Sequence, residues 1–252
     1  MTNIVEWGKL TWLEAEQAVK MMPACILPFG AIEAHGPHLT LDTDNGIVEE
    51  KCRRICEATG IIKMPLMPFG VVFSLYGYPG SLTISHDTMC ILIKELISSL
   101  REKGFKIIFV HSHHGGNSGM VKQAVRESSV EYPDMKLVIL SELSALRKAQ
   151  DEYCTSPHED PTRAHADELE TSQALECCPE RVFMDRAVTD YPEFPLDFSC
   201  SPYRWIEFSK YGVMGDACAG TKEKGEAFLK AELTPMIEKV KYVLANNLNG
   251  YK

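Results

Sequence analysis

The sequence predicts an α/β fold, a three-layer α/β/α sandwich in which helices cover both faces of a mostly parallel central sheet. Short apolar runs alternate with segments whose apolar residues recur at helical spacing, as expected when each strand leads into a helix. The runs at 24–27 and 105–110 are almost wholly apolar, which is typical of strands covered on both faces. With 252 residues, of which 45% are hydrophobic, the chain can bury a sizeable core, and we expect one domain over residues 1–252.

Each predicted element is placed by its apolar spacing and by the residues that begin or end it. Helices are expected at residues 11–21, 45–59, 85–103, 117–127, 168–177 and 223–247. Strands are expected at residues 24–27, 61–67, 105–110 and 135–140. Thr11 and Glu14 have the spacing of a capping box at the start of the first helix. Pro65 interrupts the second strand, because it cannot donate a ladder hydrogen bond.

Three segments lack a clear period and are not assigned to regular elements. Residues 68–81 form a glycine-rich loop that carries Tyr76 and Tyr78, and residues 151–163 are polar and acidic, as in a surface loop. Residues 179–205 are rich in proline and aromatic side chains. A lid, a subunit contact and a plain long loop all remain open for this last segment.

The overall charge and the cysteine content narrow the class of protein. A formal net charge of −9 argues against a nucleic-acid partner, which would call for a basic surface. The N-terminus lacks a signal-peptide pattern, and no apolar run is long enough to cross a bilayer, so no membrane partner is expected. Nine cysteines without a disulfide spacing indicate reduced thiols. We therefore expect a cytoplasmic protein.

The first polar cluster follows the strand at 24–27. Residues 28–44 (PFGAIEAHGPHLTLDTD) carry five potential metal ligands: Glu33, His35, His38, Asp42 and Asp44. In an extended backbone Glu33 and His35 point to the same face, and carboxylate and imidazole suit zinc, manganese or iron. A polar loop in which Asp42 or Asp44 caps the next helix explains the same residues equally well.

Two further clusters occupy positions where ligands bind in open α/β sheets, beyond the carboxyl ends of strands or within reach of them. Residues 111–117 (HSHHGGN) place three histidines before Gly-Gly and Asn117, and imidazole is a common metal ligand. Residues 164–172 (AHADELETS) lead into a helix, and their acidic side chains are equally suited to capping it. Together the clusters supply carboxylates and imidazoles without cysteine, which is the ligand set of a hydrolytic site with one or two metals.

At these residues the sequence resembles the creatininase (creatinine amidohydrolase) family of metal-dependent hydrolases. GAIEAHGPHLTLDTD resembles the pattern G-S-x-E-Q-H-G-x-H-L-P-L-x-T-D, HHGGN resembles G-H-G-G-N, and HADELETS resembles H-A-G-E-x-E-T-S. YPGSLTIS and GVMGDACAGTKEKGEA resemble two further family segments in the right order. The resemblance covers most of the chain and implies a creatininase-like fold, a homo-oligomer of up to six subunits and two divalent metal ions. Zinc is the first choice, with manganese and iron as alternatives.

The resemblance implies a ligand set by position: Glu33, His35, Asp44 and His114. Asp44 would bridge the two ions, and His38 and Asp42 would support or cap the loop. Creatininase takes another ligand from a glutamate two residues after the histidine, but this position is Gly116 here. Glu170 is the substitute that we expect.

Three other departures concern the substrate. Ala164 precedes His165 where creatininase has Glu-His, and Asp167 replaces a glycine. Residues 74–75 are Ser-Leu where many relatives carry Glu-His. These differences argue against creatinine as the substrate and leave the expected metal ligands intact.

The resulting hypothesis is hydrolysis by a metal-bound hydroxide, since metal ions lower the pKa of bound water from about 15.7 towards about 7. His165 is the expected proton shuttle, Asn117 would orient the substrate or stabilise an oxyanion, and Tyr76 and Tyr78 would contact a small-molecule substrate. The expected reaction is hydrolysis of the C–N bond of a small cyclic amide or a formamide. The alternatives are carbon–carbon hydrolysis of a cyclic diketone such as an oxidised inositol, and a non-catalytic metal- or ligand-binding module.

Overall fold

The computed structural model describes residues 4–158 and 163–248, and a parallel sheet lies at its centre. The four strands are β1 (Ala24–Phe29), β2 (Ile62–Lys63), β3 (Ile107–Ser112) and β4 (Lys136–Ile139). Their order is β2-β1-β3-β4, and every neighbouring pair is parallel. In the register Cys25 lies between Ile62 and Ile108. The predicted parallel sheet is confirmed.

Seven helices surround this sheet in the part of the chain that the structure describes. They are α1 (Trp12–Met21), α2 (Thr43–Thr59), α3 (His86–Glu102), α4 (Ser118–Glu131), α5 (Leu143–Tyr153), α6 (Glu168–Cys177) and α7 (Lys222–Asn247). Six of them match the predicted helices to within a few residues at each end. Helix α5 is not among the predicted helices, and residues 151–153 of the predicted surface loop belong to its last turn. Residues 159–162 of that loop lie outside the described part.

Alternate residues of β1 face opposite layers of helices, which explains why the strand is apolar throughout. Cys25 and Leu27 pack into a core with side chains of α1, α3 and α4, whereas Ala24 and Ile26 pack into a second core with side chains of α2 and α7. All six residues of β1 are buried. The predicted three-layer α/β/α arrangement is thus confirmed, with the sheet between two separate apolar layers.

Local signals explain where several elements begin and end. The Thr11 side chain accepts from the Glu14 backbone N–H at 3.4 Å, and the Glu14 carboxylate accepts from the Thr11 N–H at 2.7 Å, so the capping box is formed as predicted. Gly60 ends α2 with a φ of +74°, a conformation that favours glycine. The second strand is shorter than predicted, since β2 ends before Pro65.

The segment at 179–205 packs against the loop that follows β2. Its short strand β5 (Thr189–Asp190) pairs with β6 (Gly215–Asp216) in an antiparallel ladder. Phe194, Phe198 and Trp205 join Leu75 and Met214 in a small apolar cluster. Aromatic packing therefore fixes part of this segment beside the carboxyl end of the sheet, where β1 and β3 lead into their polar loops. Among the described helices none has the length and apolarity needed to span a bilayer.

Candidate metal centre

The three polar clusters meet at the carboxyl ends of β1 and β3. The loop after β1 contributes Glu33 and His35, the first turn of α2 contributes Asp44, the loop after β3 contributes His114, and the first turn of α6 contributes Glu170. The first four of these residues expose 7% of their surface or less. Carboxylates so deeply buried need a partner of opposite charge, and buried imidazoles need a hydrogen-bond partner or a metal ion.

Backbone contacts fix the orientation of Glu33 and His35 in the loop after β1. The Glu33 N–H donates to the Leu41 carbonyl at 3.0 Å, and His35 pairs with Leu39 in an isolated β-bridge. His35 donates from Nδ1 to the Glu33 carbonyl at 3.1 Å, which leaves Nε2 facing the cluster. Gly36 turns the chain with a φ of +63°, and a Cβ there would lie 2.6 Å from the Val213 side chain. Glu33 and His35 therefore share one face, as predicted.

Asp44 lies between two histidines from different loops. Its Oδ1 is 3.7 Å from His35 Nε2, and its Oδ2 is 3.2 Å from His114 Nδ1. The orientation of the His114 ring is fixed by a hydrogen bond from its Nε2 to the Val71 carbonyl at 2.9 Å. Its other nitrogen, Nδ1, lies 3.0 Å from Glu33 Oε1. Such hydrogen bonds fix the tautomer of a ligating histidine.

Glu170 closes the other side of the cluster. Its Oε1 lies 3.5 Å from His35 Nε2, and its Oε2 accepts from the Ala166 N–H at 2.6 Å. Asp167 caps α6 by accepting from the Glu170 N–H at 3.1 Å, which sets the position of the first turn. This local geometry places Glu170 Oε1 beside His35 and Asp44 in one compact group of potential ligand atoms.

The electrostatics of the cluster favour bound positive charge. Burial alone would lower the pKa of His35 and His114, but the carboxylates of Glu170, Glu33 and Asp44 outweigh burial and raise both pKa values well above the ordinary value. Burial alone would raise the pKa of Asp44 and Glu170, but the neighbouring histidines hold both pKa values well below the usual range. The carboxylates therefore stay ionised and attract protons or metal cations.

The side chains fit divalent metal ions. Two groups of potential ligand atoms, each lying within 4.8 Å of one another, share Asp44: Glu33, Asp44 and His114, and His35, Asp44 and Glu170. Buried Glu33 Oε2, His35 Nε2 and Asp44 Oδ2 accept or donate no hydrogen bond among the described residues. Buried polar atoms normally have partners, so these free atoms and the mixed oxygen and nitrogen set indicate a metal site.

His165 lies at the edge of the same cluster. Its Nε2 donates to the Ala34 carbonyl at 2.8 Å, and its Nδ1 lies 3.7 Å from Glu170 Oε2. The Trp205 ring packs edge-on against it at 5.6 Å. With Nε2 bonded to Ala34, Nδ1 is the ring nitrogen that faces the cluster, and His165 also forms a compact group of potential ligands with Glu33 and His35.

A cavity of about 580 Å³ opens onto the cluster, a volume typical of small-molecule sites. Its described walls include Glu33, Asp44, His114, Phe73, Leu75 and Trp205. The walls thus combine the polar ligand cluster with apolar side chains.

The structure corrects the predicted roles of Tyr76 and Tyr78. The loop at 68–81 contributes Val71 and residues 73–75 to the described cavity wall instead. The Tyr78 hydroxyl donates to the Ser209 carbonyl at 2.7 Å, and Tyr76 is exposed beneath Arg204. Neither tyrosine is among the described residues that line the cavity.

Asn117 also differs from its predicted role. Its Oδ1 accepts from the Val71 N–H at 2.9 Å, and its Nδ2 donates to the Gly30 carbonyl at 3.0 Å and to Ser112 Oγ at 3.1 Å. The residue is fully buried. A substrate contact does not fit these bonds, because the amide is already committed to joining the segments that follow β1, β2 and β3.

Two residues behind the cluster, Lys51 and Glu232, are not among the predicted site residues. Lys51 Nζ donates to Glu232 Oε2 at 2.6 Å and to Nδ1 of His113 at 3.2 Å. His113 was noted only as one of three histidines, and it lines the cavity. Two sequence features could have indicated them: a lysine among apolar residues of α2 and a glutamate on the buried face of α7. Neither feature shows that the two side chains meet.

Comparison with known proteins agrees with the resemblance seen in the sequence. The profile of the creatininase family, described as creatinine amidohydrolase, matches residues 8–240. The mycofactocin precursor peptide peptidase of Mycolicibacterium smegmatis is 27% identical over 90% of this chain and 88% of its own length. The creatinine amidohydrolase of Pseudomonas putida is 25% identical over 91% and 94%. The 3-dehydro-scyllo-inosose hydrolase of Thermotoga maritima is 24% identical over 91% and 80%.

Solved structures show the same fold. A creatinine amidohydrolase (creatininase) superposes with a TM-score of 0.87 at 23% identity, covering 96% of this chain and 98% of the other. A Zn–Zn creatininase variant gives 0.85 at 24% identity, and a manganese form gives 0.83 at 23%, each covering 96% of this chain and 99% of its own. The family profile spans most of the chain, and the ligand cluster lies where the fold brings its strand ends together. The chain therefore belongs to the creatininase family and is a metal-dependent hydrolase.

Proposed function

We propose that this protein is an amidohydrolase that cleaves the C–N bond of a small cyclic amide or formamide at two divalent metal ions. The arrangement around Asp44 supports this proposal most directly. One carboxylate faces two histidines from different loops at 3.7 and 3.2 Å, and the cluster opens into a cavity of about 580 Å³. A bridging carboxylate beneath a cavity suits hydrolysis by paired metals.

The two ligand groups define which side chains would hold each ion. Glu33 and His114 would bind one ion, His35 and Glu170 the other, and Asp44 would bridge them. We propose zinc first, because carboxylate and imidazole are common zinc ligands, with manganese and iron as alternatives. The Zn–Zn and manganese forms named among the solved relatives are in keeping with this order.

The chain's own residues would position the substrate and move a proton. When bound, the ions would supply Lewis acidity towards the substrate carbonyl and lower the pKa of water. His165 would pass a proton from Nδ1 to the leaving nitrogen, since its Nε2 is committed to the Ala34 carbonyl. Trp205 and Leu75 would hold the substrate over the ligand cluster and exclude bulk water.

The proposed bond follows from the mixed cavity and from the names of two relatives. A peptidase and an amidohydrolase both cleave amide bonds, and each covers about nine-tenths of this chain. The Ser-Leu pair at 74–75 and Ala164 lack the ionisable groups that creatininase relatives carry there, so we propose an amide other than creatinine. A carbon–carbon hydrolase remains the second candidate, because the Thermotoga maritima relative is named for an inosose.

A substrate screen tests the proposal. The protein would be loaded with zinc, manganese or iron and assayed against cyclic amides including creatinine, formamides, a short peptide and keto-inositols. We expect amide hydrolysis that a chelator abolishes and the metal restores. Turnover of a keto-inositol alone would support the second candidate. Binding of metal without turnover of any compound would contradict hydrolysis and favour a binding module.

We also propose a cytoplasmic homo-oligomer, up to a hexamer, of chains that each form one domain over residues 1–252. All nine cysteines are free thiols, which suits a reducing compartment. The family resemblance supports the assembly. Light scattering coupled to gel filtration would measure the assembly, and a mass near 28.2 kDa would contradict it.

A further inference from the structure

A group of polar side chains interrupts the apolar layer between the sheet and helices α2 and α7. Ile107 and Phe109 of β3 pack into this layer, and alternation along the strand places His111 on the same face. Lys51 of α2 and Glu232 of α7 meet there, with Nζ 2.6 Å from Oε2. A buried ion pair rarely adds net stability over apolar packing, so stability alone does not explain these polar residues.

Two side chains in this group have a polar atom to which no described residue bonds. They are His111, which is 2% exposed, and Gln173 of α6, which is fully buried. His111 Nδ1 donates to the Leu140 carbonyl at 2.9 Å, and Gln173 Nε2 donates to Glu232 Oε2 at 3.1 Å. His111 Nε2 and Gln173 Oε1 are left without a partner. Buried polar atoms are normally hydrogen-bonded, so both atoms indicate that a further group binds here.

The bonds at the other end of each side chain show that both free atoms are acceptors. A carboxylate only accepts, so the amide nitrogen of Gln173 faces Glu232 and its oxygen is the free atom. A carbonyl also only accepts, so Nδ1 of His111 carries a proton. Burial, followed by the charge of Lys51, lowers the pKa of His111 to about 4, and the ring is neutral near pH 7. His111 Nε2 and Gln173 Oε1 therefore each require a donated hydrogen.

The cavity that contains the ligand cluster reaches both of these side chains. His111, Gln173 and Glu232 line it, together with Leu146 and Leu169, which share a small apolar cluster. Its volume of about 580 Å³ leaves room for a substrate that extends beyond the metal ions. The missing donor can therefore belong to a ligand that occupies the same cavity.

The surrounding groups restrict the chemistry of this ligand. A carboxylate or phosphate anion has no hydrogen to donate to the two free acceptors. A cation would meet the buried ammonium group of Lys51, whose charge Glu232 already balances. A hydroxyl group donates one hydrogen, whereas the –NH2 of a neutral carboxamide or urea donates two. One such –NH2 group can satisfy both acceptors.

We propose that His111 and Gln173 form a second subsite of the cavity, which binds a neutral –NH2 group of the substrate remote from the bond that is cleaved. Glu232 orients the Gln173 amide and is itself held by Lys51. The inference rests on the proposed function and narrows its substrates to amides or formamides that also carry a carboxamide or urea group. A site built to bond N–H groups rejects analogues that lack them, so both residues determine specificity.

Binding at this subsite can be followed on the His111 ring in the zinc-loaded protein. Histidine would be ¹⁵N-labelled, His111→Gln would assign the signals, and the probes would be acetamide and N,N-dimethylacetamide. We expect acetamide to shift the Nε2 signal of His111, and N,N-dimethylacetamide, which has no N–H, to leave it unchanged. Equal shifts from the two probes, or no shift because an ordered water alone occupies the subsite, would overturn the proposal. The signals of His158, which is not among the described cavity-lining residues, should stay constant.

A matched pair of substrates tests specificity. N-formylglycinamide and its N,N-dimethylamide contain the same formamide bond, but only the first ends in –NH2. We expect kcat/KM to be at least about tenfold higher for N-formylglycinamide. Gln173→Met should lower this value by about fivefold, as expected for one lost hydrogen bond, and leave that of the dimethylamide unchanged. Equal kcat/KM for the two substrates, or equal effects of the variant on both, would overturn the proposal.

Gln150→Met is the matched control. Gln150 is also fully buried with both amide atoms unpartnered, but it is not among the described residues that line the cavity. This variant should leave kcat/KM for both substrates at the wild-type values, and an effect equal to that of Gln173→Met would contradict the subsite. Denaturation curves would identify a variant that fails to fold, and the comparison of the two NMR probes in the wild-type protein does not depend on it.

The two measurements also separate this inference from the proposed function. The NMR shifts read no hydrolysis, so an inactive protein with the expected shifts would contradict only the proposed function. An active amidohydrolase whose His111 signal responds to neither probe would contradict only the subsite.

Discussion

Oδ1 of Asp44 lies 3.7 Å from His35 Nε2, and its second oxygen faces the other side of the cluster. The loop after β1 supplies His35, and the loop after β3 supplies the imidazole on the far side, 3.2 Å from Oδ2. Asp44 itself stands in the first turn of α2, so one carboxylate joins three elements. Any ion bound on either side depends on this residue.

Replacing Asp44 should therefore remove both metal ions rather than one. In Asp44→Ala we expect fewer than about one zinc per chain, and hydrolysis reduced more than about a hundredfold, since even changes behind a ligand cost 10- to 100-fold. Metal analysis after gel filtration and an assay with the best amide from the screen would measure both. Asp87→Ala, an exposed aspartate in the first turn of α3, should behave as wild type. Full zinc content and turnover in Asp44→Ala would contradict the bridging role.

Glu170 and Glu168 should behave differently although they are two residues apart on α6. Glu170→Gln should lose one zinc ion, because the amide is a weaker ligand than the carboxylate. Glu168→Gln should keep both ions and lose about 1–3 kcal/mol of unfolding free energy. Its carboxylate accepts from the N–H groups of Thr155 and Ser156, each at 2.9 Å, and pairs with Lys224. Equal metal loss in the two variants, measured with a denaturation curve for each, would argue against separate roles.

Trp205, which lines the cavity, and Tyr78, which does not, should differ in their effects on catalysis. Trp205→Ala should lower kcat/KM by at least about tenfold, because this ring lines the cavity and packs edge-on against His165 at 5.6 Å. Tyr78→Phe removes only the hydrogen bond to the Ser209 carbonyl and should cost about 1 kcal/mol of stability with little change in kcat/KM. Steady-state kinetics and chemical denaturation of both variants test this. A larger kinetic effect in Tyr78→Phe would restore its role in substrate binding.

The sequence predicted most of the fold, because each element carries its own local pattern. The apolar run of β1, the capping box at Thr11 and the glycine at the end of α2 all depend on neighbouring residues. The positions of Glu33 and His35 on one face also followed from local spacing. Asp44, His114 and Glu170 were placed by resemblance, since they come from other elements.

The remaining errors concern contacts between distant parts of the chain. Asn117 bonds to Gly30 and Val71, 87 and 46 residues away, and no local pattern shows that its amide is already committed. Lys51 and Glu232 are 181 residues apart and meet only because α2 and α7 pack on the same face of the sheet. Tyr76 and Tyr78 were assigned by residue type, but the direction of a turn decides which side chains face a cavity.

His111 should make the stability of the protein depend on pH. Its Nδ1 donates to the Leu140 carbonyl at 2.9 Å, and burial, followed by the charge of Lys51, lowers the pKa of His111 to about 4. In the unfolded chain the pKa is about 6.5, so the unfolded state binds more protons between these values. The stability contributed by the neutral ring is therefore present above pH 6.5 and is lost as the pH falls towards about 4.

The contribution of His111 to this loss of stability can be measured by comparison with a variant that has no titratable side chain at position 111. From pH 7.5 to pH 5 the unfolding free energy of the wild-type protein should fall by about 2 kcal/mol more than that of His111→Gln. Chemical denaturation with a chelator present keeps metal binding from adding its own pH dependence. The histidines of the ligand cluster, whose raised pKa values act in the opposite direction, are common to both proteins and cancel in the difference. Parallel stability curves would show that His111 is not held neutral in the folded state.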